Sequence, residues 1–77
     1  MIRIIYNGNQ ILVKFEYQPE VVTIMKMFGA RYFWREKYWY MPVEKAEELV
    51  EELTYRDYDF VEVNKDSWSV KREGELS

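Results

Sequence analysis

The chain has 77 residues, about 9.5 kDa, so it forms one small domain that buries roughly 60% of its unfolded surface. Hydrophobic residues at 48% and aromatics at 18% favour a folded core, and the lack of Cys and His excludes disulfides, thiolate zinc sites and imidazole catalysis. The net charge of −3 hides a polarity. Residues 1–43 carry six cations and three acids, whereas residues 44–77 carry five cations and eleven acids, so the first half offers a basic surface to a partner.

Ile2-Arg3-Ile4-Ile5-Tyr6 and Ile11-Leu12-Val13-Lys14-Phe15 read as strands around Asn7-Gly8-Asn9, a hairpin signal. Pro19 suits the first position of a helix and Glu20 its positive end. Val21, Ile24, Met25 and Phe28 recur at helical spacing, and Gly29 stands where a left-handed cap is needed, so the spacing predicts a helix over about 19–28.

Arg31 to Met41 is the densest aromatic stretch of the chain, interrupted by the polar group Arg35-Glu36-Lys37. It predicts a hairpin that pairs Tyr32 with Trp39, Phe33 with Tyr38 and Arg31 with Tyr40. Period-two alternation then sets Tyr32, Trp39 and Met41 on one face, and Arg31, Phe33, Tyr38 and Tyr40 on the other.

Past Pro42, Ala46, Leu49, Val50 and Leu53 mark the apolar stripe of a second helix. Its five glutamates, Glu44, Glu47, Glu48, Glu51 and Glu52, read as a solvated outer side. Tyr58 to Val63 alternates like a fifth strand, Ser67 to Lys71 is a candidate sixth, and residues 73–77 read as a frayed acidic tail. The expectation is an α+β domain over residues 1–72, ordered ββαββαβ. It has a small antiparallel sheet with both helices on one face, because two helices cannot cover both sides.

The other sheet face is the first candidate site. Bases of single-stranded nucleic acid stack on rings such as Phe33, Tyr38 and Tyr40 while cations such as Arg31 neutralise phosphates. The same rings can equally serve as cross-strand pairs that cover the sheet. The second candidate is the turn, where Trp34 between cations could wedge into a distorted duplex or fold back onto the core. Arg3, Lys14, Lys26, Arg31, Arg35 and Lys37 are the candidate phosphate contacts, and Phe33, Trp34, Tyr38 and Tyr40 the stacking rings. No nucleophile, phosphate loop or metal motif stands in the chain, so neither catalysis nor a cofactor is expected.

Lys26-Met27-Phe28-Gly29-Ala30-Arg31-Tyr32 followed by Lys37-Tyr38-Trp39-Tyr40-Met41-Pro42 resembles a pattern in the HARP domains of annealing helicases. It is similar also to the N-terminal damage-recognition-like domains of archaeal XPB-type helicases. Tyr17, Pro19 and Glu20 fit the same layout, and the resemblance covers about residues 10–54. It implies a small module that binds DNA at forks or distorted duplexes and assists a helicase motor, in cis or trans. Within it Gly29 would cap the helix, Tyr32 and Trp39 would be core aromatics, and Arg31 and Lys37 would contact phosphates. The chain departs from the pattern at Phe33-Trp34 and carries no motor motifs.

The resulting expectation is a DNA-binding accessory domain with little sequence specificity, acting on single-stranded or forked DNA. The alternative is a protein-interaction or dimerisation module that uses the same aromatic face. The composition leans towards a thermophile, and no apolar run is long enough for a membrane span, which points to an intracellular, cytoplasmic setting.

Overall fold

Ile2, Ile4 and Tyr6 alternate with Arg3, Ile5 and Asn7 along the first strand, β1 (Ile2–Asn7), and only the first set is buried. The same division runs through β2 (Gln10–Lys14), where Ile11 and Val13 are buried between Gln10, Leu12 and Lys14. In the computed structural model of the chain, which describes residues 1–64, these strands form a hairpin with Asn7 opposite Gln10. Its two-residue loop is Gly8-Asn9. Gly8 has φ +64 and Asn9 has no positive φ, the type II′ pattern in which glycine takes the first central position.

Helix α1 (Pro19–Met27) begins at Pro19 as expected and buries Val21, Ile24 and Met25. It ends in a Schellman motif. Ala30 N–H bonds back to Met25 O at 3.0 Å and Gly29 N–H to Lys26 O at 3.1 Å, with Gly29 at φ +72. Lys45 Nζ adds a 2.8 Å hydrogen bond to the free carbonyl of Phe28.

Strands β3 (Arg31–Phe33) and β4 (Tyr38–Pro42) pair in the expected register: Arg31 with Tyr40, Tyr32 with Trp39, Phe33 with Tyr38. A 3-10 turn at Val43–Lys45 leads into α2 (Ala46–Tyr55), which buries Ala46, Leu49 and Leu53. A second Schellman motif ends α2, with Tyr58 N–H on Leu53 O at 2.9 Å and Asp57 N–H on Thr54 O at 3.1 Å. Here the left-handed position, φ +64, is held by Asp57 instead of glycine.

The fifth strand, β5 (Phe60–Val63), lies beside β1, and the sheet order is β3-β4-β2-β1-β5. The α+β architecture is as expected. One pairing differs: β5 runs parallel to β1, so the sheet is mixed instead of wholly antiparallel. The crossover through α2 explains this, because a helix between strands returns the chain in the same direction.

Among the described residues twelve that are buried form one core, six from β1, β2 and β4 and three from each helix, which places both helices on the same side of the sheet. Across this layer Tyr58 donates to Glu20 Oε2 at 2.5 Å, and Tyr6 donates to Glu62 Oε2 at 2.7 Å. The candidate sixth strand and the C-terminal tail lie outside the described residues.

Candidate nucleic-acid interface

The registers of four ladders define what the helix-free face presents. One row across the five described strands reads Val63, Ile5, Leu12, Tyr40, Arg31. In the next, Val61 lies beside Arg3, Arg3 beside Lys14, and Tyr38 beside Phe33. The β2–β4 register, extended by one step, brings Lys14 to Tyr38, and its Nζ lies 5.9 Å from the centre of that ring.

The rings form a connected group at one end of the sheet. Phe33 and Tyr38 have centroids 5.7 Å apart at 43°, and Tyr38 and Tyr40 are 6.4 Å apart, nearly edge to face at 74°. None of these pairs is stacked flat, so their faces are not sealed against each other. Each inner ring has a cation beside it, Lys14 next to Tyr38 and Arg31 next to Tyr40.

Acids are sorted between the two layers. Among the described residues, no strand residue on the helix-free face is Asp or Glu. Glu62, the one acid within a described strand, is paired with buried Ile4 and turns to the helix side, where Tyr6 binds it. Glu47, Glu48, Glu51 and Glu52 belong to α2 on that side as well.

Six of the ten sequence-predicted site residues, Arg3, Lys14, Arg31, Phe33, Tyr38 and Tyr40, are thus brought together. The other four are not part of the same surface. Trp34 and Arg35 occupy the tip of the β3–β4 hairpin, where Trp34 is 68% exposed and the Arg35 guanidinium lies 5.3 Å from its ring. Trp34 therefore does not fold back onto the core. Lys26 and Lys37 lie on the helix side, at the margin of a cleft that also contains Tyr32 and Trp39. All six cations crowd the first half of the sequence, but α1 and the turn direct these two away from the helix-free face.

Tyr32 and Trp39, implied to be core aromatics by the resemblance, are only partly covered. Tyr32 is 48% exposed and Trp39 half-buried, with ring centroids 5.1 Å apart. The reason is lateral. β3 and β4 lie at one edge of the sheet, and the strand residues of the core come from β1, β2 and Met41 of β4, so no residue of β3 is buried. Sequence reasoning also missed the apolar half of the open face, Ile5, Leu12, Val61 and Val63, although Ile5 follows Arg3 at the spacing of one strand face.

A hollow at the other end of the hairpin collects Gln10, Arg31, Tyr40 and Lys45. Among the described residues no group of three or more potential metal-binding acids stands together, and no helix is long and apolar enough to cross a membrane. No family model matches this chain, and neither a curated protein nor a solved structure is found to be similar to it.

Proposed function

We propose that this domain binds single-stranded nucleic acid on the helix-free face of its sheet, without marked sequence preference. The observation that carries the reading is the direct pairing of Arg3 with Lys14 beside Tyr38, on a face whose described strands contain no acid. Like charges opposite each other in a ladder are destabilising, and a phosphate between them converts that repulsion into attraction. The rings alongside give each successive base a surface to stack on, worth about 1–3 kcal/mol per base. No helix here enters a groove to read base edges, so affinity should follow charge and stacking more than sequence.

The likeness of Lys26–Tyr32 and Lys37–Pro42 to helicase-associated domains favours DNA, forked or single-stranded, and a role as an intracellular repair or helicase accessory that acts by binding alone. Binding of a labelled oligonucleotide across a range of salt concentrations tests this. Replacing Lys14 and Arg31 together by Ser should weaken binding and flatten the log–log salt slope by about 1.4, roughly 0.7 per lost phosphate contact. Absence of binding at low salt would refute the reading.

The apolar strip Ile5, Leu12, Val61 and Val63 favours a second reading, in which this face docks on another protein or a second copy. In that case the chain should self-associate or bind its partner with little dependence on salt.

A further inference from the structure

Where α1 meets the β3–β4 hairpin, on the helix side of the sheet, lies a cleft of about 290 Å³ lined by residues of both. Its walls include Phe15, Tyr17, Tyr32 and Trp39, its cations are Lys26 and Lys37, and among the described residues none that lines it is acidic. We propose that this cleft is a binding site for a single nucleotide unit, with the base against Tyr32 and Trp39 and the phosphate between Lys26 and Lys37.

The size sets the scale of the occupant. Ligand pockets span roughly 300–1,000 Å³, so this cleft sits at the small end and suits one flat ring system, not a peptide or a duplex. The lining sets its chemistry. An inorganic anion would use the two lysines and leave four aromatic walls idle, whereas a neutral apolar molecule would use the walls and leave both ammonium groups idle. A base carrying its phosphate uses both.

Lys37 gives an independent reason. It adopts φ +60, a left-handed conformation that disfavours a side chain bearing a Cβ, and it closes the turn with a 2.8 Å bond from its N–H to Phe33 O. Gly or Asn would hold that turn with less strain. A long cation is held there instead, at the margin of an aromatic cleft, and strain of this kind collects at ligand sites.

The site faces away from the proposed strand-binding surface and does not depend on it. The same chemistry is offered by a free nucleotide and by the 5′-phosphorylated end of a strand, and the probes separate the two.

In the full chain, Trp34→Phe with Trp68→Phe leaves Trp39 as the only tryptophan. Deoxyadenosine monophosphate should quench its fluorescence saturably, and deoxyadenosine should bind roughly tenfold more weakly for want of charge-assisted phosphate contacts. Lys26→Gln with Lys37→Gly, the latter suited to the left-handed turn, should bring the two ligands to equal affinity.

Lys14→Ser with Arg31→Ser, on the opposite face, should leave nucleotide binding unchanged while weakening strand binding. Stronger binding of a 5′-phosphorylated oligomer than of its 5′-hydroxyl form, lost in the lysine variant, assigns the site to strand ends. Equal binding of the two oligomers, with the monophosphate retained, assigns it to free nucleotides. No saturable quenching at millimolar monophosphate, or quenching unaltered in the lysine variant, overturns the proposal. Loss of nucleotide binding in the Lys14/Arg31 variant places the ligand on the wrong face and overturns it as well.

Discussion

Arg3 and Lys14 stand directly opposite each other across the β1–β2 ladder, on the sheet surface that neither α1 nor α2 covers. Exposed like-charge pairs in this position cost stability, and acids that could relieve them are absent from the described strands of this face. Among the described strands and helices the acids are confined to the helix side, whereas cations and rings occur on both, so the helix-free face is the one that carries cations without acids beside them. A surface arranged this way is suited to an anion more than to its own free state.

Arg3→Thr is the cleaner probe of that repulsion, because Lys14 also lies over the Tyr38 ring. The substitution should raise stability by about 0.2–1 kcal/mol at low ionic strength, helped by the strand preference of Thr. The gain should shrink as salt screens the pair, while affinity for single strands falls. Urea denaturation at two salt concentrations reads the first effect. A variant less stable than the parent at low salt would show that the pair is not repulsive in the free domain.

The Tyr6–Glu62 bond ties β1 to β5 and makes an alkaline limit to stability. Burial first, and then the hydrogen bond to Glu62 with that carboxylate's charge, raise the Tyr6 phenol well above its ordinary value of 10.0. Tyr58 is raised too, chiefly by its hydrogen bond to Glu20. Between pH 10 and these raised values the folded state holds protons that the unfolded chain has released. The contribution is therefore complete below about pH 10 and is lost as pH climbs beyond it. Tyr6→Phe should cost about 0.5–1.5 kcal/mol near neutrality and make the decline above pH 10 shallower. A decline of unchanged steepness in that variant would assign it to other groups.

Alternation was enough to settle the faces of β3 and β4, since Tyr32 through Tyr40 carries a ring or a cation at almost every step. It was not enough to place β5. Phe60–Val63 alternates like any half-buried strand, and nothing local to those residues distinguishes a parallel neighbour in β1 from an antiparallel one elsewhere. The division of the cations was equally out of reach. Lys26 lies on a helix and Lys37 in a left-handed turn, where strand periodicity assigns no face. The left-handed residue after α2 is Asp57, with no glycine to announce it, unlike Gly29 after α1, and the half-exposure of Tyr32 follows from its place on the edge strand β3.

The two hairpin tryptophans should separate stability from binding. Trp39 is half-buried against the core, so Trp39→Ala should cost about 1.5–3 kcal/mol, less than the 3–5 of a fully buried aromatic. Trp34 is mostly solvent-exposed, and Trp34→Ala should change stability by no more than about 0.5 kcal/mol. Any loss of nucleic-acid affinity in the Trp34 variant would then report contact with the ligand. Thermal unfolding together with anisotropy titration checks both. A Trp34→Ala variant that unfolds as easily as Trp39→Ala would return that side chain to a structural role.

The two helix ends offer a matched pair of substitutions. Both close with a Schellman motif, and both place one residue in the left-handed region, Gly29 after α1 and Asp57 after α2. An L-residue pays about 1–2 kcal/mol for that conformation, somewhat less for Asp, whereas glycine does not. Asp57→Gly should therefore stabilise the domain by about 0.5–1 kcal/mol after the greater freedom of glycine in the unfolded chain is counted. Gly29→Ala should destabilise by about 1 kcal/mol or more. The cost there is in the backbone and not in a clash, because an added Cβ would meet only Lys45 Nζ at 3.8 Å, an ordinary contact. In a domain of this size the changes amount to several degrees in Tm, in opposite directions. Calorimetry of the two variants tests the cap assignments, and a fall in Tm for Asp57→Gly would show that the Asp57 side chain supports α2 in a way its backbone angle does not explain.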